Sequence, residues 1–70
     1  DRPRRVAYLV EKGVDGQALC DVISKAQAAR EEGVQVLVVR MNKNKKFQKE
    51  QLEADGYQEF VEFYREALKN

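Results

Sequence analysis

The chain contains no histidine and no tryptophan, and it has a single cysteine and a single proline among its 70 residues. Without histidine, the usual imidazole-containing zinc sites are excluded, and a cysteine nucleophile has no imidazole base. One cysteine cannot form an internal disulfide, which fits a reducing cytoplasm. The longest uninterrupted aliphatic run is residues 36–39, far short of the roughly 18 apolar residues of a membrane span. We therefore expect a soluble, cytoplasmic protein that is not an enzyme and needs no cofactor or metal.

Length and composition limit the architecture. A chain of this size buries only about 60 % of the surface that its unfolded form exposes, which is enough for one small domain. The 43 % hydrophobic and 36 % charged composition is unlike that of a disordered or a membrane protein. The sequence starts at Asp1 rather than Met and shows no signal-peptide pattern. We expect residues 1–70 to form a single α/β domain that belongs to a longer parent protein.

The first half of the chain predicts a βαβ unit. Residues 5–11 are a short run of strand formers, and residues 34–41 contain four consecutive aliphatic side chains, a pattern typical of buried parallel strands. Between them, apolar residues at helical spacing predict a helix over 16–32, with Asp15 as its N-cap. Gly33 stands where a left-handed residue commonly ends a helix. The resulting order is strand, helix and parallel strand.

The second half of the chain fits more than one arrangement. A polar loop over 42–45 is followed by a short helix over 47–54, which ends at Asp55 and Gly56. Beyond Gly56, apolar residues recur at i, i+3, i+4, i+7 and i+11 and predict a C-terminal helix over 57–68. Two parallel strands alone do not make a stable sheet. A third strand must then come from a second copy, from the rest of a longer protein, or from residues 57–64, whose aromatic and valine side chains also favour strands.

The charge is segregated along the chain. Residues 1–39 hold six basic and six acidic side chains, residues 40–49 hold five basic side chains and no acid, and residues 50–70 hold two basic and six acidic ones. Ligands of open α/β sheets bind outside the carboxyl ends of the strands, where residues 40–46 leave the second strand. Lysine and arginine there would attract phosphates, asparagine would reach base edges or sugars, and Phe47 would stack if exposed. The predicted RNA- or polyanion-binding residues are Arg40, Asn42, Lys43, Asn44, Lys45, Lys46 and Lys49. The alternative is an ordinary solvated surface that complements the acidic C-terminal part.

A different function class follows from the predicted final helix. Its aromatic side chains would dock to a protein partner or to a second copy of the chain, and the predicted partner-binding residues are Tyr57, Phe60, Phe63 and Tyr64. On the same helix, Glu59, Glu62 and Glu66 would form a solvated outer stripe. Cys20 is expected to be a small buried residue on the apolar side of the first helix. A third possibility is a piece of an enzyme whose active site lies elsewhere.

Residues 23–39, ISKAQAAREEGVQVLVV, resemble the helix and strand of the anticodon-binding domain of class II aminoacyl-tRNA synthetases. The similarity is greatest to the histidyl type and to its non-synthetase relative, the regulatory subunit of ATP phosphoribosyltransferase, and it spans roughly residues 6–56. The resemblance implies a non-catalytic domain in which Arg40, Lys43, Lys45 and Lys46 lie in the neighbourhood that contacts RNA. After Gly56 that family has an aliphatic strand and a further helix, whereas this sequence is rich in aromatic residues.

Overall fold

The computed structural model describes residues 3–68 as an α/β domain with three parallel strands and three helices. Its elements are β1 (Arg5–Val10), α1 (Gly16–Glu31), β2 (Gln35–Arg40), α2 (Lys45–Ala54), β3 (Glu59–Phe63) and α3 (Arg65–Leu68). The strand order is β2-β1-β3, so that β1 is central and pairs in parallel with both neighbours. The predicted α/β class and the parallel β1–α1–β2 unit are therefore confirmed.

The predicted helix over residues 57–68 is wrong for most of its length. Glu59–Phe63 forms β3, and only Arg65–Leu68 is helical. The aromatic and valine side chains of this segment suit a strand as well as a helix, and pairing with the exposed edge of β1 selects the strand. Because β3 is the third strand, the sheet reaches the size that a stable domain requires.

Local signals set both ends of α1 with the cap residues that were predicted. Asp15 caps α1, since its side chain accepts a hydrogen bond of 2.9 Å from the backbone N–H of Ala18. At the other end, Gly33 has a φ of +92° and donates to the carbonyl of Arg30, while Val34 donates to that of Ala29. This is the Schellman arrangement, and it turns the chain directly into β2.

The hydrophobic core has two halves, one on each face of the sheet. Successive side chains of a strand point to opposite faces, and β1 accordingly sends Ala7 and Leu9 to one cluster and Val10 to the other. The first cluster packs against Leu52 of α2, and the second packs against Val22 of α1. The helices α1 and α2 therefore cover opposite faces. No helix among residues 3–68 has the length and apolar character that crossing a membrane requires.

Cys20 is exposed rather than buried, which corrects the sequence-based expectation. The buried residues of α1 are Val22 and Ala26, so the side of α1 that packs on the sheet excludes Cys20. Ile23, which shares the predicted apolar stripe, is also 38 % exposed.

Candidate functional site

The basic segment, residues 40–49, runs from the last residue of β2 through the first turns of α2. Since all three strands are parallel, their carboxyl ends lie at the same edge of the sheet, here called the carboxyl edge. Hydrogen bonds tie this edge together: Met41 donates to the carbonyl of Val10 (2.8 Å), and Glu11 donates to that of Phe63 (2.9 Å). The basic segment therefore lies where ligands of open α/β sheets usually bind.

The two asparagines of the segment shape the loop. The side-chain oxygen of Asn44 accepts from the backbone N–H of Phe47 (3.0 Å) and caps α2, and that of Asn42 accepts from the N–H of Asn44 (3.0 Å). Both carboxamide oxygens are thus engaged by the backbone. Their amide N–H groups take no part in these bonds and keep both donors for a base or a sugar.

Gln48 also orders the loop, a role that was not predicted from the sequence. Its side-chain nitrogen donates to the carbonyl of Arg40 (2.7 Å), and its side-chain oxygen accepts from the N–H of Asn42 (3.1 Å). One side chain of α2 thereby fixes both ends of the turn that leaves β2. No short sequence motif signals this contact, because it depends on how α2 packs above the loop.

Lys45 and Lys49 are held within the fold by β3. Their amino groups lie 3.3 Å and 3.5 Å from the same carboxylate oxygen of Glu62. Lys45 also donates to the hydroxyl of Tyr64 (3.0 Å), and Lys49 lies 5.9 Å from the ring centre of Phe60. Both lysines remain partly exposed, and their positive charges are partly neutralised by these contacts.

The ionisation of this cluster follows from its contacts. Burial alone would raise the pKa of Glu62, but its ion pair with Lys45 and the positive charge of Lys49 outweigh burial and lower that pKa below its usual value. The pKa of Lys45 is raised by its hydrogen bond to Tyr64 and by its ion pair with Glu62. Glu62 is half-buried on a strand, so the predicted helical stripe of Glu59, Glu62 and Glu66 is wrong.

Three basic residues of the segment remain available, and they are here called the free basic set: Arg40, Lys43 and Lys46. All three are exposed, and within residues 3–68 no carboxylate lies within 4.0 Å of their charged groups. Lys43 precedes the N-cap of α2 and Lys46 lies in its first turn, where the unpaired backbone N–H groups of a helix add positive potential. This part of the carboxyl edge is thus suited to attract anions.

Phe47 lies in the same first turn of α2 and is 55 % exposed. The buried side chain of this helix is Leu52, whereas Phe47 belongs to neither buried cluster. The condition on which Phe47 was predicted to stack, exposure to solvent, is met.

The four aromatic residues predicted to bind a partner do not share one surface. Tyr57 and Phe60 pack against the cluster under α2. Phe63 packs on the opposite face, with its ring centre 5.0 Å from that of Tyr8. Of the four, only Tyr64 is exposed, at 39 %. The strand alternation of β3 separates side chains that a helix would have aligned.

Among the described residues, no three cysteine, aspartate or glutamate side chains are placed to hold a metal ion. Comparison with known proteins adds no relative: no family model matches the chain, and neither the curated proteins nor the solved structures contain a significant match.

Proposed function

We propose that this domain is a non-catalytic binding module that contacts RNA, or another polyanion, through the basic segment at the carboxyl edge. The observation that carries the proposal is the free basic set, since Arg40, Lys43 and Lys46 are exposed beside a helix N-terminus without a carboxylate partner in residues 3–68. Phosphates are the ligands that such a cluster attracts most strongly.

The resemblance to anticodon-binding domains favours RNA over other polyanions. The resemblance implies that residues of the basic segment contact RNA, and it implies an aliphatic strand after Gly56, where this chain has the aromatic strand β3. The tight loop geometry imposed by Gln48 supports the proposal further, because an ordered loop loses less conformational entropy when it binds.

The experiment is a titration of fluorescently labelled RNA over a series of salt concentrations, with wild type and the Lys43→Ala, Lys46→Ala double variant. Each phosphate contact contributes about −0.7 to the slope of log affinity against log salt for a single strand. We expect the double variant to bind more weakly, with a slope flatter by up to about 1.4.

The matched control compares two single variants, Lys46→Ala and Lys25→Ala. Both residues are exposed lysines on helices, and both substitutions change the net charge equally, but Lys25 lies on α1. If the two substitutions weaken RNA binding equally, the affinity depends on the net charge alone and not on the basic segment. Absence of binding by wild type at low salt would refute the function.

A second candidate function, protein interaction, is favoured by the exposed edges of the sheet. In the described part of the chain, β2 and β3 each pair on one side only, which leaves backbone groups free to pair with another chain. Val61 of β3 is also 40 % exposed. Sedimentation over a range of protein concentrations tests this candidate.

A further inference from the structure

We infer that the basic segment selects single-stranded RNA, with Phe47 as the platform on which one unpaired base stacks; this inference rests on the proposed function. Phe47 is the most exposed of the large hydrophobic residues in the described chain, at 55 %. Its position in the first turn of α2 places it beside Lys46 and one short turn after Lys43. An exposed aromatic side chain in a segment rich in positive charge is the combination that binds single strands.

The contacts around Phe47 hold the platform in place. Its backbone N–H donates to the cap residue Asn44 (3.0 Å), so the first turn of α2 is closed at this residue. Gln48, the next residue, joins the same turn to Arg40 and Asn42. The ring therefore projects from ordered backbone, which reduces the conformational entropy lost when a base stacks on it.

Single strands fit this surface better than duplexes do. In a duplex the bases are stacked on one another, and only the backbone charge is available to the lysines. In a single strand, a base can leave its neighbours and lie against Phe47 while the adjacent phosphates reach Lys43 and Lys46. The free basic set then supplies affinity that depends on salt, and Phe47 supplies a preference for unpaired bases.

The absence of tryptophan from the chain allows a direct test. The variant Phe47→Trp carries a single indole at the platform, and its fluorescence reports stacking when it is excited beyond the tyrosine band. We expect unstructured oligouridine to quench this fluorescence, whereas inorganic polyphosphate of equal charge and a duplex RNA leave it nearly unchanged. Quenching by polyphosphate to the same extent would overturn the inference.

Affinities of the variants provide the second measurement. Phe47→Ala is expected to weaken oligouridine binding by about 5- to 150-fold, the equivalent of roughly 1–3 kcal/mol for one stacked base, and to leave polyphosphate binding unchanged. Phe47→Leu retains apolar bulk without the ring and should behave like alanine, while Phe47→Tyr should bind as wild type does. Ile23→Ala is the control, because Ile23 is an exposed apolar residue on α1.

The outcomes separate this inference from the proposed function. If the Lys43→Ala, Lys46→Ala variant loses oligouridine binding but Phe47→Ala and Phe47→Leu do not, the function stands and the stacking platform is refuted. Retained binding by Phe47→Leu alone would assign the contact to apolar bulk and also refute stacking. If wild type binds neither oligouridine nor polyphosphate at low salt, the proposed function and the stacking platform are both refuted. A change in sedimentation of Phe47→Ala without a change in RNA affinity would make Phe47 a protein contact instead.

Discussion

Gly56 joins α2 to β3 in a conformation that other residues adopt only with strain. Its φ is +101°, and a Cβ atom added there would collide with the guanidinium of Arg5. That guanidinium donates to the carbonyl of Asp55 (2.6 Å) and lies 4.4 Å from the ring centre of Tyr57. The start of β1 is thereby joined to the turn that leads into β3.

We predict that Gly56→Ala lowers the free energy of unfolding by about 1–3 kcal/mol, measured by urea denaturation. Gly16→Ala is the matched control, since Gly16 is the first residue of α1 and a Cβ there meets no atom within 4 Å. The control should be neutral or stabilising by up to about 1 kcal/mol. Equal stabilities of the two variants would show that the positive φ at position 56 does not strain alanine.

Two carboxylates of β3 link stability to pH. The hydrogen bond and charge of Arg4 lower the pKa of Glu59, and the lysines of α2 lower that of Glu62 against the opposing effect of burial. A lowered folded-state pKa means that the stabilisation is fully present above the ordinary value of 4.5 and is lost as the pH falls through the folded-state value.

We predict that the Glu59→Gln, Glu62→Gln variant loses less stability than wild type as the pH falls below 4.5. Urea denaturation at a series of pH values measures the difference. Glu31→Gln with Glu32→Gln, two exposed residues at the end of α1, should follow the wild-type curve. If the free energy of unfolding depends on pH in the same way for all three proteins, the contacts of Glu59 and Glu62 do not contribute to the loss of stability at acid pH.

At the scale of secondary-structure elements, β3 determines which positive charges of α2 are available to bind an anionic ligand. Glu62 faces α2 and holds Lys45 and Lys49, whereas Glu59 pairs with Arg4 at the other end of the strand (2.6 Å). Lys45 and Lys49, both predicted to bind the ligand, are therefore engaged by the protein itself.

We predict that Glu62→Gln increases RNA affinity and steepens its salt dependence, by about 0.7 in slope for each released lysine that engages a phosphate. Glu59→Gln changes the net charge by the same amount on the same strand and should have a much smaller effect. If both variants bind RNA alike, the gain is a net-charge effect and Lys45 and Lys49 were already available.

For the whole molecule, the small sheet leaves apolar surface uncovered. The radius of gyration is 12.1 Å, compared with about 11 Å for a compact domain of this length, and the longest and shortest dimensions are 35 Å and 15 Å. This flattened shape leaves Val61 40 % exposed on β3, next to an unpaired strand edge in the described chain.

We predict weak self-association through β3, and that Val61→Lys reduces it by at least about fivefold, the equivalent of roughly 1 kcal/mol. Sedimentation equilibrium measures the association constant. Ile23→Lys is a matched control, because Ile23 is 38 % exposed but lies on α1. A wild-type protein that is monomeric at every concentration measured would contradict the predicted self-association.

The parts of the fold that the sequence predicted are those that depend on near neighbours in the chain. Asp15 and Gly33 set the ends of α1 through contacts within five residues, and the aliphatic run of β2 is apolar enough to be recognised alone. The loop composition likewise placed the basic segment between β2 and α2. Local backbone preferences favour such features independently of contacts with distant parts of the chain.

The tertiary structure alone decided β3, the exposure of Cys20 and the division of the basic segment. Residues 57–64 suit both periodicities, and the strand is selected by parallel pairing with β1, more than fifty residues earlier in the chain. Cys20 is exposed because packing on the sheet chose Val22 and Ala26 as the buried side of α1. Lys45 and Lys49 differ from Lys43 and Lys46 because they form ion pairs with Glu62 of β3, and charge counting along a chain contains no information about those distances.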